Sequence, residues 1–126
     1  MSAKAFYARI IDQVTALGGR VYPHEVPPTS APTYPLAVYM GGGVQPVLGG
    51  ESVVSESMQV CVIAATYGEA RDISASIRAA INVQAGTWGG VTVLRAFYES
   101  GSEDVNRIAQ SDLWTAEQTF TVWSKV

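Results

Sequence analysis

The sequence predicts an α+β fold: a mostly antiparallel β-sheet with two α-helices packed on one face, in the order α-β-β-β-α-β-β. Three observations lead there. Two segments, residues 3–17 and Tyr67–Val83, repeat apolar residues at helical spacing. Several shorter segments, bounded by glycine and proline, carry strand-type residues. Those segments follow one another through loops, with no βαβ rhythm or phosphate loop, which favours antiparallel pairing with the helices on one side. A chain of 126 residues fits one core, so a single domain is expected over 1–126, with long loops at 41–57 and 100–111.

In the first helix, Phe6, Ile10, Val14 and Leu17 make one apolar face, with Tyr7 and Ile11 beside it. Ser2 is placed to cap its start, and Gly18-Gly19 stops it, because glycine enters the left-handed conformation at little cost. A short strand, Arg20–Pro23, follows. Four of the six prolines then fall at Pro27, Pro28, Pro32 and Pro35. Proline fixes φ and biases its predecessor toward extended geometry, so this stretch reads as a stiff strap delivering the chain to a strand at Leu36–Met40. Gly41–Ser57, with five glycines and one proline, reads as a flexible loop or a loosely paired hairpin arm.

Met58–Thr66 is the clearest strand. Met58, Val60, Val62 and Ala64 are apolar on one face, and Cys61, Ile63 and Ala65 on the other, so a central position covered on both sides is expected. In the second helix Ala70, Ile73, Ile77, Ala80 and Ile81 form the stripe, and Glu69 and Asp72 suit its N-terminal dipole. Gln84–Gly90 reads as a turn, Val91–Glu99 as a strand and Ser100–Ser111 as a polar loop. Asp112–Ser124 is the final strand, with Trp114, Ala116, Phe120 and Val122 on one face and Thr115, Glu117, Thr119, Thr121 and Trp123 on the other.

No constellation for catalysis stands out. His24 is the only histidine and lies in the proline-rich stretch, without a Cys, His or Asp at metal-ligand spacing. Cys61 sits between apolar residues, without the base or positive surroundings a nucleophile needs, and reads as a buried, inert thiol. Gly41–Gly43 lacks the Lys-Ser/Thr and the helix of a phosphate loop. Glu99, Glu103 and Asp104 read as a solvated acidic tip, too few for a calcium loop. No cofactor or metal is expected. A net charge of −3 without a Lys/Arg run argues against a nucleic-acid reader, so Tyr39, Tyr98, Trp88 and Trp123 read as core or interface residues. One cysteine makes no internal disulfide, and no signal peptide or membrane span is visible, so a soluble protein made and kept inside the cell that makes it is expected.

What remains is a chain that looks built to assemble. Only 15% of its residues are charged. Val44, Val47, Leu48, Val53 and Val54 are apolar within the glycine-rich segment, and Trp123 lies near the chain end. Glu103, Arg107 and Asp112 are candidates for inter-subunit ion pairs. These nine residues are the candidate interface.

The order of segments resembles a known family. The N-terminal amphipathic helix leads into "GGRVYPHEVPPTSAPTYPLAVYMGG". The strand and helix of "SMQVCVIAATYGEARDISASIRAAI" follow without a break, and the chain closes on "AEQTFTVW". Together these resemble the small tail-terminator (tail-completion) proteins of long-tailed bacteriophages, prophages and gene-transfer particles. The resemblance runs nearly the length of the chain and departs from the family in the length and glycine content of Gly41–Ser57. It implies a homo-oligomer, a hexameric ring in the virion at the head-proximal end of the tail. Such a ring caps the tail-tube protein, stops tube polymerisation and offers a docking surface to head-completion or connector proteins. It further implies no enzymatic activity and no cofactor, with DNA passing through the lumen without sequence-specific binding. The mildly acidic chain agrees with a conduit that does not grip phosphates, and neutral or acidic groups are expected at its narrowest point. The alternatives are another head-tail connector or tail-tube component, or a monomeric α+β binding module or small enzyme.

Overall fold

The computed structural model describes residues 2–23, 33–47, 50–101, 106–108 and 111–125. Helix α1 spans Ser2–Gln13, and Ser2, expected as a cap, is its first helical residue. The helical face runs on to Leu17 as expected, but through a 3-10 turn at Thr15–Leu17. The break falls at Val14-Thr15, two consecutive β-branched residues, which lose side-chain freedom in a helix. Gly18 then takes φ 59° and its N–H closes on the Thr15 carbonyl, ending the segment where the glycine pair predicted.

Strand β1 is Val21–Pro23, β2 Leu36–Val47 and β3 Gly50–Ala64. The Gly41–Ser57 segment is thus not a free loop: the hairpin-arm alternative holds, with β2 and β3 paired antiparallel from Leu36↔Ile63 to Val47↔Gly50. Register shifts at Gly41/Val44 and Pro46/Val47 absorb the glycines and the proline. Helix α2 covers Tyr67–Ile81; the Thr66 hydroxyl accepts from the Glu69 N–H at 3.2 Å, capping it.

The expected turn at Gln84–Gly90 is corrected. Gln84–Trp88 is a strand, β4, and only Gly89-Gly90, both at positive φ, turns the chain into β5 at Val91–Gly101. Tertiary pairing with β5 overrides the turn-like composition, because Trp88 is buried there at 5% exposure. Asn106–Arg107 forms a two-residue strand, β6, inside the expected polar loop, and β7 runs Trp114–Lys125. The predicted element order is otherwise as found.

The sheet order is β1-β2-β3-β7-β5-β4, with β6 pairing β7 beyond the end of β5. Only β1 and β2 run parallel. The core lies between one sheet face and the two helices. Phe6, Ile10, Val14 and Leu17 meet Ile73, Ile77 and Ile81 there, over Met58, Val60, Val62, Phe120 and Val122. Phe6 packs on Phe120 at 5.6 Å between ring centroids, and Tyr98 packs edge-on to Phe120 at 5.8 Å.

Polar side chains lock the helices to this face. Gln118, 1% exposed and in phase with Ala116 and Phe120, donates to the Ser74 carbonyl at 2.8 Å and to the Ser74 hydroxyl at 2.6 Å. The Arg78 Nε donates to Gln118 Oε1 at 3.3 Å, and its guanidinium lies 4.3 Å from the Tyr98 ring centroid. A satisfied buried amide of this kind fixes how α2 sits along β7. Arg9 does the same for α1: its Nε donates to the Ala80 carbonyl at 2.9 Å and its guanidinium covers Trp88 at 5.1 Å.

Candidate assembly interface

The face of β3 opposite the helices was expected to be covered as well. It is not: among the described residues both helices pack on the other side. The pairing register places Leu36, Val38 and Met40 of β2 on this open face, in line with Ile63, Cys61 and Gln59 of β3 and Thr115, Glu117 and Thr119 of β7. Leu36 at its upper end is fully buried, whereas Val38, Ile63 and Cys61 are half-buried and Met40 is 40% exposed. These rows grade from apolar on β2 to polar on β7, where Thr115, Glu117 and Thr119 face outward.

At the lower end the face becomes aromatic. Trp123 is 39% exposed and Phe97 38% exposed, and their rings meet edge to face at 6.5 Å and 77°. Trp123 was singled out from the sequence; Phe97 was not. Strict alternation from Val91 would bury Phe97 along with Val93 and Arg95. The register shift between Val93 and Arg95 reverses the phase, so Ala96 and Tyr98 turn inward and Phe97 outward. The clue in the sequence is Arg95, which sits at a position strict alternation would bury.

The other predicted interface residues divide. Val53 and Val54 pair with Lys125 and Ser124 and are half-buried. Val44 and Val47 lie in β2, opposite Glu56 and Gly50. Leu48 and Glu103 fall outside the described residues, as does His24. Arg107 and Asp112 meet each other within the chain at 3.3 Å, both side chains largely exposed, and the Arg107 Nε also donates to the Ser111 carbonyl at 2.8 Å. Such an exposed pair contributes little to stability, and its visible work is to close the short Arg107–Asp112 loop.

Cys61 is half-buried rather than buried. Burial pushes its thiol up to about 11, with the carboxylate of Glu117, its register partner on β7, adding to the shift. The thiol therefore stays protonated at neutral pH. Iodoacetamide is expected to alkylate the native protein far more slowly than the unfolded chain. Glu117→Gln should raise the native rate roughly two- to fivefold by removing the smaller of the two causes. Between pH 9 and 11 the unfolded chain ionises this thiol and the folded chain does not, so stability falls as pH rises through that window.

Among the described residues no group of three or more His, Cys, Asp or Glu side chains converges as a metal site. No helix is long and apolar enough to cross a membrane. A cleft of about 160 Å³ lies between α1 and the β4–β5 turn, lined by Arg9, Asp12, Thr87 and Trp88.

The architecture defined by these elements is, among the described residues, an α+β fold of two helices packed on one face of a single sheet. No family model matches the sequence, and no curated protein matches it. Solved structures do share the fold. The chain superposes along its whole length on a subunit from the virion of a native gene transfer agent particle. That match has a TM-score of 0.68 and 16% sequence identity, covering 100% of this chain and 95% of that one. A second solved chain matches at a TM-score of 0.58 and 17% identity, over 99% of this chain and 93% of its own.

Proposed function

We propose that this chain is a structural, non-enzymatic subunit of a phage-type particle, and that it serves as a tail terminator. In this reading several copies, a hexamer by resemblance, form a ring on the head-proximal end of the tail tube. The ring halts addition of tube protein and presents a joining surface to the head-completion proteins, while DNA passes through its lumen. The observation that carries the reading is the end-to-end correspondence with a subunit of a gene transfer agent virion. The sheet face on which neither helix packs, with its exposed aromatic pair, supplies surface for partners.

Six copies would carry a net charge of about −18. That suits a passage through which a polyanion slides, because bound phosphates need lysine and arginine contacts.

The test is assembly. The cognate tail-tube protein is polymerised in vitro with and without an excess of this chain, and tube lengths are measured by electron microscopy. A terminator yields short tubes carrying an extra ring at one end. Tubes that grow to the same length with this chain in excess overturn the terminator role, and incorporation of the chain along the tube wall would make it a tube component instead.

A further inference from the structure

Both margins of the sheet are stepped. On one margin β1 pairs with β2 only at Ala37–Tyr39. Below that, β2 continues from Met40 to Val47 with no further strand beside it among the described residues. On the other margin β4 flanks β5 only between Ala96 and Val91. Above that, β5 runs on through Tyr98 to Gly101, again with no outer strand among the described residues. Following the register across the sheet, β1 lies level with Ala116–Gln118 of β7, whereas β4 begins level with Val122 and extends downward. β4 therefore stands at the height of the open stretch Val44–Val47 of β2 on the opposite margin, whereas β1 shares only the Gln118 level with the open end of β5. At that end of β5, Asn82 Oδ1 accepts from the Tyr98 N–H at 2.9 Å.

We infer that copies of this chain join edge to edge as a half-lap: β4 of one copy overlaps the open Met40–Val47 margin of β2 of the next. The occupant of that margin is thus a second copy of this chain. From the directions within one chain, β4 would run parallel to β2. The backbone groups along these margins are the recognition chemistry, as in other cases of strand addition. Solvent-facing edges are ordinarily blunted with charge, lysine above all. Here "GGGVQPV" (Gly41–Val47) and "QAGTW" (Gln84–Trp88) contain no charged residue. Pro46 removes one donor and leaves the rest. Because the two joined surfaces differ, the contact is head-to-tail and closes into a ring when the rotation per copy allows. This inference rests on the ring reading above and names the surface that makes the ring.

Disulfide trapping tests it. Gln45, level with Trp123, and Ala85, one residue below Gln84 at the level of Val122, fall at the same height on the two margins. Both are replaced by cysteine in a Cys61→Ser background, and native folding of each variant is checked by circular dichroism. Under mild oxidation the Q45C/A85C double variant is expected to shift from monomer to a ladder of covalent oligomers on non-reducing gels. An equal mixture of the two single variants should stop at the dimer, and each single variant alone should stay monomeric. Assembly seen by light scattering, with no cross-link in either the double variant or the mixture, overturns the half-lap and leaves the ring standing on another surface. Neither assembly nor cross-link, at millimolar chain concentration, overturns both.

Discussion

Phe120→Ala is expected to destabilise the protein by about 3–5 kcal/mol, a large part of the 5–15 kcal/mol typical of a domain. Phe120 is fully buried on the central strand β7, where its ring meets Phe6 of α1 and Tyr98 of β5. Truncation removes the ring that ties the first helix to the sheet, and the rings it meets come from separate elements that cannot both collapse into the space. Thermal unfolding followed by far-ultraviolet circular dichroism should show a midpoint lowered by roughly 10–20 °C. A shift of only a few degrees would mean that α1 repacks freely over β7. Phe97→Ala on the open face is the contrasting variant: it should leave the midpoint nearly unchanged, since Phe97 is only partly covered.

The second large effect is expected at the β4–β5 turn. Gly89 has φ 58°, and a Cβ built there would lie 2.9 Å from the Ala8 Cβ and 3.4 Å from the Lys4 carbonyl. Gly90 has φ 82° with nothing within 4 Å of such a Cβ. Both alanine variants take on the left-handed penalty of about 1–2 kcal/mol. Only Gly89→Ala also pushes β4 away from α1, where Trp88 and Arg9 are stacked. Urea unfolding should therefore find Gly89→Ala less stable than Gly90→Ala by roughly 1–2 kcal/mol, the usual range for overpacking. Equal midpoints for the two variants would show that the turn does not bear on the helix.

Much of the subunit was legible from local pattern. Helical spacing named Phe6, Ile10, Ile73 and Ile77 as inward residues, and all four are in the core. Period-two alternation did the same for Met58, Val60, Val62, Phe120 and Val122. Gln118 lies in phase with Ala116 and Phe120 on the inward row, but a polar side chain is credited to the core only when its partners are known. Those partners, Ser74 and Arg78, lie 44 and 40 residues away. Gln84–Gly90 reads as a turn because three of its seven residues are glycine, yet pairing with β5 makes Gln84–Trp88 a strand.

The candidate interface was legible only in part. Trp123 is where the alternation placed it, on the open face. Phe97 joined it through a register shift, a feature of pairing that leaves little trace in a single strand. Arg107 and Asp112, read as groups for a neighbouring subunit, meet each other once the chain turns back at Ser111.

Helix faces, the inward residues of the central strands, and the glycine stop after Leu17 follow from amino-acid order, because each depends on residues within one or two turns or on steric limits at a single φ. The strand order β1-β2-β3-β7-β5-β4, the face behind β3 and β7 on which neither helix packs, and the stepped margins belong to the tertiary structure. They depend on which distant strands share hydrogen bonds and at what register, and one strand's periodicity carries no information about its partner. The surfaces proposed to make a ring are of that second kind, so amino-acid order by itself does not point to them.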